Sequence, residues 1–277
     1  MNTPEDVRAD VLARALEDRG YDSLWLGEHS HIPISRRTPY PAGGELPRQY
    51  QRMMNPFVSL AMAAMATTTL KLATGVALPL EHDVLDLAKS VATLDVVSDG
   101  RVIFGVGVGW NEEELANHRP FPFARRYSAL EDCVTALRSL WSDDEAEHHG
   151  EFYDFDPVWS FPKPVQRPYP PVALGVGGRL GTTHAARWAD EWAPLDIALG
   201  DVGKKIGKFR EAVVEAGRAD VPISLVVFGD PTWETLVRYR DLGVQRVVLG
   251  SAPNRWDDPS TTMDFIDTYA QFITDLA

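Results

Sequence analysis

The sequence predicts an α/β protein, a parallel barrel built from repeated strand–helix units. Short apolar runs alternate with amphipathic stretches almost to the C-terminus, the pattern of βα units on a parallel sheet. Glycine-rich turns follow several of these runs, at the strand ends where such folds place ligands. The 277 residues contain no internal repeat and no low-complexity tract, and a barrel of about 250 residues forms one domain. Residues 1–277 are therefore expected to form a single domain.

Thr3, Pro4, Glu5 and Asp6 read as a helix N-terminus: a capping hydroxyl, a first-turn proline, then acids at the positive end of the dipole. Val7, Val11, Leu12, Ala15 and Leu16 supply the apolar face of that helix. Strands are expected at Ser23–Leu26, 70–76, Val102–Val106, 172–176, 191–193, 223–228 and 246–249. Helices are expected around Val84, Leu87, Ala88, Val91 and Leu94, with Asp95 a polar interruption, and at 127–141, 182–189 and 202–216. A helix over 231–242 would take Asp230 as N-cap and Pro231 at its first position, and a last helix covers 261–276. A barrel of this kind opens with a strand, yet here a helix comes first. Seven strands are countable where closure needs eight, so the barrel is expected to lack its first strand.

Two long segments interrupt the alternation. Residues 32–56 carry five prolines, Gly43-Gly44 and several arginines, and 143–171 is rich in proline and aromatics. Loops of this length in a compact domain are usually functional lids or disordered; the aromatic content argues against disorder in the second, and both are expected to shape specificity and exclude water.

Composition removes several classes of function. A net charge of −13 with no basic stripe argues against nucleic acid. The longest largely apolar run, Phe57 to Ala66, is too short for a bilayer, and no signal peptide is visible. The single cysteine, Cys133, excludes an internal disulfide and fits a cytoplasmic location. It falls on an apolar helix face and reads as core. His148-His149 lacks the spacing of a metal site, so no metal is expected.

The strand ends carry the candidate chemistry. Glu28 and His29 follow the first strand, where a charged pair faces the barrel mouth and a histidine titrates in a useful range; a pair that only orders the loop is the plainer alternative. Gly75 after the second strand fits either close approach to a ligand or tight packing. The run Gly105-Val106-Gly107-Val108-Gly109-Trp110-Asn111 lets backbone approach a planar ligand, or packs the barrel, and lacks the spacing of a dinucleotide fingerprint. Gly175 to Thr182, with Gly177-Gly178-Arg179 opening a helix, offers free amides to a phosphate, or is a plain glycine turn.

Together YDSLWLGEH, LATGV, AKSVATLDVVSDGRVIFGVGVGWNEEE and PKPVQRPYPPVALGVGG resemble the bacterial luciferase-like monooxygenase superfamily, most closely its deazaflavin branch. The resemblance covers nearly the whole chain. It implies a luciferase-like (β/α)8 TIM barrel and coenzyme F420, with FMN as the alternative cofactor. It implies His29 and Glu28 as catalytic residues and a non-prolyl cis peptide at Gly75-Val76 behind the cofactor ring. Val108, Gly109 and Asn111 would line the ring and ribityl chain. Gly177, Gly178, Leu180 and Gly181 would lie near the phosphate. Trp110 stands where sugar-phosphate dehydrogenases of the family place an acidic glutamate, which argues against that reaction.

The function expected is hydride transfer between F420 and a small organic substrate. The alternatives are an FMN-dependent two-component monooxygenase and a non-catalytic paralogue. Arg36, Arg37 and Arg179 are candidates for the acidic F420 tail. The resemblance also implies a possible homodimer, and no membrane or nucleic-acid partner.

Overall fold

The computed structural model describes residues 2–118 and 121–276. Its elements are α1 (Ala9–Asp18), β1 (Ser23–Leu26), α2 (Pro56–Ala66), β2 (Lys71–Thr74), α3 (Val84–Val97), β3 (Val102–Val106) and α4 (Glu112–His118). They continue as α5 (Arg126–Ser142), β4 (Ala146–His149), β5 (Asp154–Val158), β6 (Val172–Leu174), α6 (Gly178–Trp188) and β7 (Glu191–Trp192). The last are α7 (Val202–Glu215), β8 (Ser224–Phe228), α8 (Trp233–Asp241), β9 (Arg246–Gly250), α9 (Pro259–Ala270) and α10 (Ile273–Leu276).

The parallel strands β1, β2, β3, β6 and β7 pair in chain order. Parallel bridges from Trp192 to Ile223 and from Leu195 to Val226 carry the sheet on to β8, which pairs in parallel with β9. This is the strand order of a TIM barrel, and all seven expected strands are present. No ladder joins β9 to β1 among the described residues. Side chains bridge that gap instead. Arg246 on β9 donates to Asp22 just before β1 (2.6 Å), to Glu191 (2.8 Å) and to Ser224 (2.7 Å). Lys71 at the start of β2 meets the same Asp22 at 2.8 Å.

Side chains alternate across each strand, so the barrel has an inner and an outer core. The inner one is small: Ala73, Ile103, Ala173 and Ala193, with Trp25 packed against them. The outer one lies between strands and helices and includes Leu72, Phe104, Trp141, Leu174, Trp192 and Phe209. Asp95 is fully buried there and accepts hydrogen bonds from Gln166.

Several boundaries differ from expectation, each for a local reason. The first helix begins at Ala9, because Thr3 and Asp6 hydrogen-bond Asp257 and Thr262 rather than capping it. Its buried face is Ala9, Ala13, Ala15 and Leu16, while Val11 lies outside. Helix α8 starts at Trp233 under a Thr232 cap, since Asp230 is engaged by Arg255 at 2.7 Å. The final stretch divides into α9, capped by Asp258, and α10. Phe57 to Ala66 lies within a helix, α2, capped by Asn55.

Segment 143–171 corrects a second expectation. It contains the antiparallel hairpin β4–β5, tied to α5 through Asp132. Beyond the hairpin, Lys89 of α3 donates to the Phe161 carbonyl, and Gln166 donates to Asp95 and to the carbonyl of Val102, the first residue of β3. Those anchors hold the residues after the hairpin toward the N-terminal end of the strands, away from the mouth. Segment 32–56 does reach the C-terminal ends, where Tyr50 packs against His29 and against Trp256 beyond β9.

Candidate active site

Consecutive residues leaving a strand point to opposite sides, and Glu28 and His29 do so. The buried Glu28 carboxylate accepts the Leu78 N–H at 2.8 Å and faces His82 Nε2 at 3.0 Å. It holds the turn after β2 in place, with both oxygens engaged there. In that turn the Gly75–Val76 peptide bond is cis.

His29 faces the mouth and is fixed on both ring nitrogens. Its Nδ1 lies 2.7 Å from Glu114 Oε2, and the Trp110 indole N–H donates to its Nε2 at 3.3 Å. An indole N–H can only donate, so Nε2 accepts and the ring proton sits on Nδ1, given to the Glu114 carboxylate. Tyr50 packs edge-on against His29 at 5.4 Å, and Trp110 does so at 5.7 Å. Tyr40 touches both Tyr50 and Trp110. Burial, reinforced by the Tyr40 hydroxyl, pushes the Tyr50 phenol above its ordinary value.

Glu114 sits in the first turn of α4. Asn111 caps that turn by accepting the Glu114 N–H at 3.3 Å, and the neighbouring acids complement the helix dipole. The second oxygen of Glu114, Oε1, is enclosed and receives no donor from the other hydrogen-bonding groups. Glu81 supplies one. Burial, and then the nearby Glu114 and Glu28 carboxylates, push its carboxyl up to about 9, so it keeps its proton at neutral pH and hydrogen-bonds Glu114. A chain of Glu81, Glu114 and His29 thus runs from the buried wall to the mouth.

Glu113 faces the other way and secures segment 32–56. It accepts from the Ser35 hydroxyl (2.8 Å), the Arg37 N–H (2.9 Å), the Thr38 N–H (3.1 Å) and the Thr38 hydroxyl. The Thr38 hydroxyl and these other donors hold its carboxyl down to about 2. The short helical turn at Arg48–Arg52 then lays Tyr50 on His29.

The glycines divide between packing and opening. A Cβ on Gly105 would sit 1.9 Å from the Thr74 carbonyl. On Gly107 or Gly175 it would meet the Val76 side chain, at 2.6 and 2.4 Å. These three let Val76 seat between β3 and β6. Gly181 likewise packs on Val176. Gly178 has φ +74° and open space around it, and Gly177 caps α6 without a side-chain bond. Gly178, Arg179 and the half-exposed Leu180 therefore leave the first amides of α6 accessible at the same end of the barrel.

The family model for luciferase-like monooxygenase matches residues 7–255. The chain belongs to the luciferase-like monooxygenase family. A Mycobacterium tuberculosis protein of undescribed activity is 39% identical over 258 residues, 91% of this chain and 90% of the relative. The oxygenase component of a flavin-dependent trigonelline monooxygenase from Acinetobacter baylyi is 29% identical over 73% of this chain and 52% of its own. An F420-dependent hydroxymycolic acid dehydrogenase from Mycobacterium tuberculosis is 25% identical over 77% of this chain and 56% of its own. Among solved structures, the monooxygenase RslO1 from Streptomyces bottropensis superposes with a TM-score of 0.76 at 18% identity, over 97% of this chain and 92% of its own. An F420-dependent secondary alcohol dehydrogenase, solved with an F420–acetone adduct, gives 0.74 at 17% identity, over 98% and 96%. The family thus holds both F420-dependent oxidoreductases and flavin-dependent monooxygenases.

In this luciferase-like barrel, His29, Gly75, Val76, Val108, Gly109 and Asn111 gather at one end, with the α6 entrance at that same end. Glu28 is the residue that does not join His29. Sequence reading overlooked Glu114, Glu81 and Tyr50. The triple acid Glu112-Glu113-Glu114, soon after the glycine-rich end of β3, was the available signal for the first of these.

Proposed function

We propose that this protein is an oxidoreductase moving a hydride between coenzyme F420 and a small organic substrate at the barrel mouth. The observation that carries this is His29, locked as an acceptor at Nε2 with Glu114 behind it. Hydride transfer between an alcohol and its carbonyl leaves one proton to be handled at the substrate oxygen, and His29 Nε2 is the group placed to take or return it once the long Trp110 N–H contact of 3.3 Å gives way to the substrate. When bound, the deazaflavin supplies the carbon that exchanges hydride.

The chain's residues suit such a group. The Gly75–Val76 peptide would back the ring, and Val108, Gly109 and Asn111 would flank it. The uncapped amides at Gly177 and Gly178, beside Leu180 and Gly181, would meet its phosphate, since a helix N-terminus favours an anion. Tyr40, Tyr50 and Trp110 would exclude water over His29. Glu28 acts as a positioning residue, through Leu78 and His82, rather than touching the reacting atoms.

A second reading, an FMN-dependent monooxygenase, draws support from the flavin-dependent relative at 29% identity. Parallel titrations of the purified protein with F420 and FMN decide between them. The first reading expects tight F420 and weak FMN binding. Tight FMN with no F420 binding would replace it with the second.

A further inference from the structure

We infer that Arg36 is the recognition group for an anionic substrate, a small carboxylate with a planar or apolar body seated against Trp110. This rests on the proposed placement of the reacting centre at His29.

The guanidinium of Arg36 lies 5.8 Å from the centre of the Trp110 ring, the same indole that hydrogen-bonds His29. Its Nη1 is enclosed from solvent and has no hydrogen-bond partner among the described residues. An enclosed cationic N–H without an acceptor is costly to keep, so the site is complete only when an acceptor arrives.

The nearby carboxylates are already committed. Glu113 takes the Ser35, Arg37 and Thr38 donors and pairs with the Arg37 side chain at 3.4 Å, while Glu114 holds His29. The same Glu113 clamp fixes Arg36 from both sides, and Arg36 keeps a left-handed φ of +50°, a conformation that a side-chain-bearing residue rarely holds. The backbone is thus spent on turning this arginine inward beside Trp110. Arg37, its neighbour, is largely exposed. A planar guanidinium forks onto a carboxylate through two parallel hydrogen bonds, and Tyr40, Tyr50 and Trp110 provide aromatic walls for the rest of the molecule. The acidic tail of F420 is the other anion in reach of an arginine. The position of Arg36 beside Trp110, whose indole meets His29, favours the substrate.

The test uses benzoate and benzamide, alike in shape and different in charge, titrated by tryptophan fluorescence into the F420-loaded protein. Benzoate is expected to bind at least about tenfold more tightly, and Arg36→Gln to weaken benzoate about 10- to 100-fold while leaving benzamide unchanged. Arg36→Lys recovers part of the loss, and Arg37→Gln alters neither probe. Equal wild-type affinity for the two probes, or unchanged benzoate binding in Arg36→Gln, overturns the proposal. Weakened F420 with unchanged benzoate also overturns it and moves Arg36 to the cofactor tail. Repeating the titration without F420 separates the two readings. A protein that ignores F420 but keeps an Arg36-dependent preference for benzoate refutes the proposed cofactor and supports the anion site.

Discussion

Replacing Glu81 by glutamine isolates the proton that the buried wall of the site holds. The Glu81 side chain is only 3% exposed, and burial together with Glu114 and Glu28 raises its carboxyl from 4.5 to about 9. Between those values the folded protein carries one more proton than the unfolded chain. Stability must therefore fall as pH rises across that window, by about 1.36 kcal/mol per pH unit for one proton. From pH 6 to pH 8 the expected loss from this group is about 3 kcal/mol. Glutamine is neutral in both states and still donates an N–H to Glu114, so Glu81→Gln removes the slope without removing the hydrogen bond. Urea unfolding of both proteins at pH 6, 7 and 8 reads the difference, because other titrating groups cancel in the comparison. Wild-type stability should drop relative to the variant by roughly that amount, with m unchanged. Parallel profiles would show Glu81 already ionised at neutral pH and would break the Glu81–Glu114–His29 chain.

Four further outcomes follow from the same geometry. Glu114→Gln removes the charge that steadies a protonated His29, so kcat should fall about 10²-fold with F420 affinity unchanged; equal losses in both would mean a structural role only. Glu113→Ala releases the clamp on Ser35, Arg37 and Thr38, and trypsin should cut after Arg36 or Arg37 about tenfold faster with little change in Tm. Gly105→Ala places a methyl 1.9 Å from the Thr74 carbonyl and should cost about 3 kcal/mol or more in urea unfolding. Glu17, somewhat desolvated, is nevertheless held to about 2 by the N–H groups of Thr69, Leu70 and Thr68. Its contribution is present above 4.5 and lost as pH falls toward 2. Glu17→Gln should therefore be less stable at pH 7 and show a shallower acid unfolding profile.

The strand order was legible because alternation of apolar runs is a local signal, and each of the seven parallel strands begins within a residue of its expected start. The His29 position was legible for the same reason, since a residue directly after a strand end lands at the mouth. What the sequence hid depends on contacts distant along the chain. Glu28 and His29 look like a pair in sequence, yet the strand pleat turns them apart. Which carboxylate meets His29 is decided by the Asn111 cap on α4, 85 positions away from His29 at Glu114. Thr3 and Asp6 carry a good helix-start pattern that hydrogen bonds to Asp257 and Thr262 override. The aromatic segment after β5 looked like a lid, but Gln166 and Phe161 tie it to α3 and to the start of β3. Gly105 and Gly107 suited either a ligand or close packing, and the Thr74 carbonyl and the Val76 side chain decide for packing.

Anaerobic single turnover tests the central claim most directly. F420-loaded wild type and His29→Asn are mixed with secondary alcohols, with and without a carboxylate, and the visible absorbance of the deazaflavin is followed. The wild type is expected to reduce its bound F420 without oxygen, and His29→Asn to bind F420 equally but react about 10²-fold more slowly. Equal rates in the two proteins, or a protein that takes up FMN and turns over only with oxygen, would contradict it.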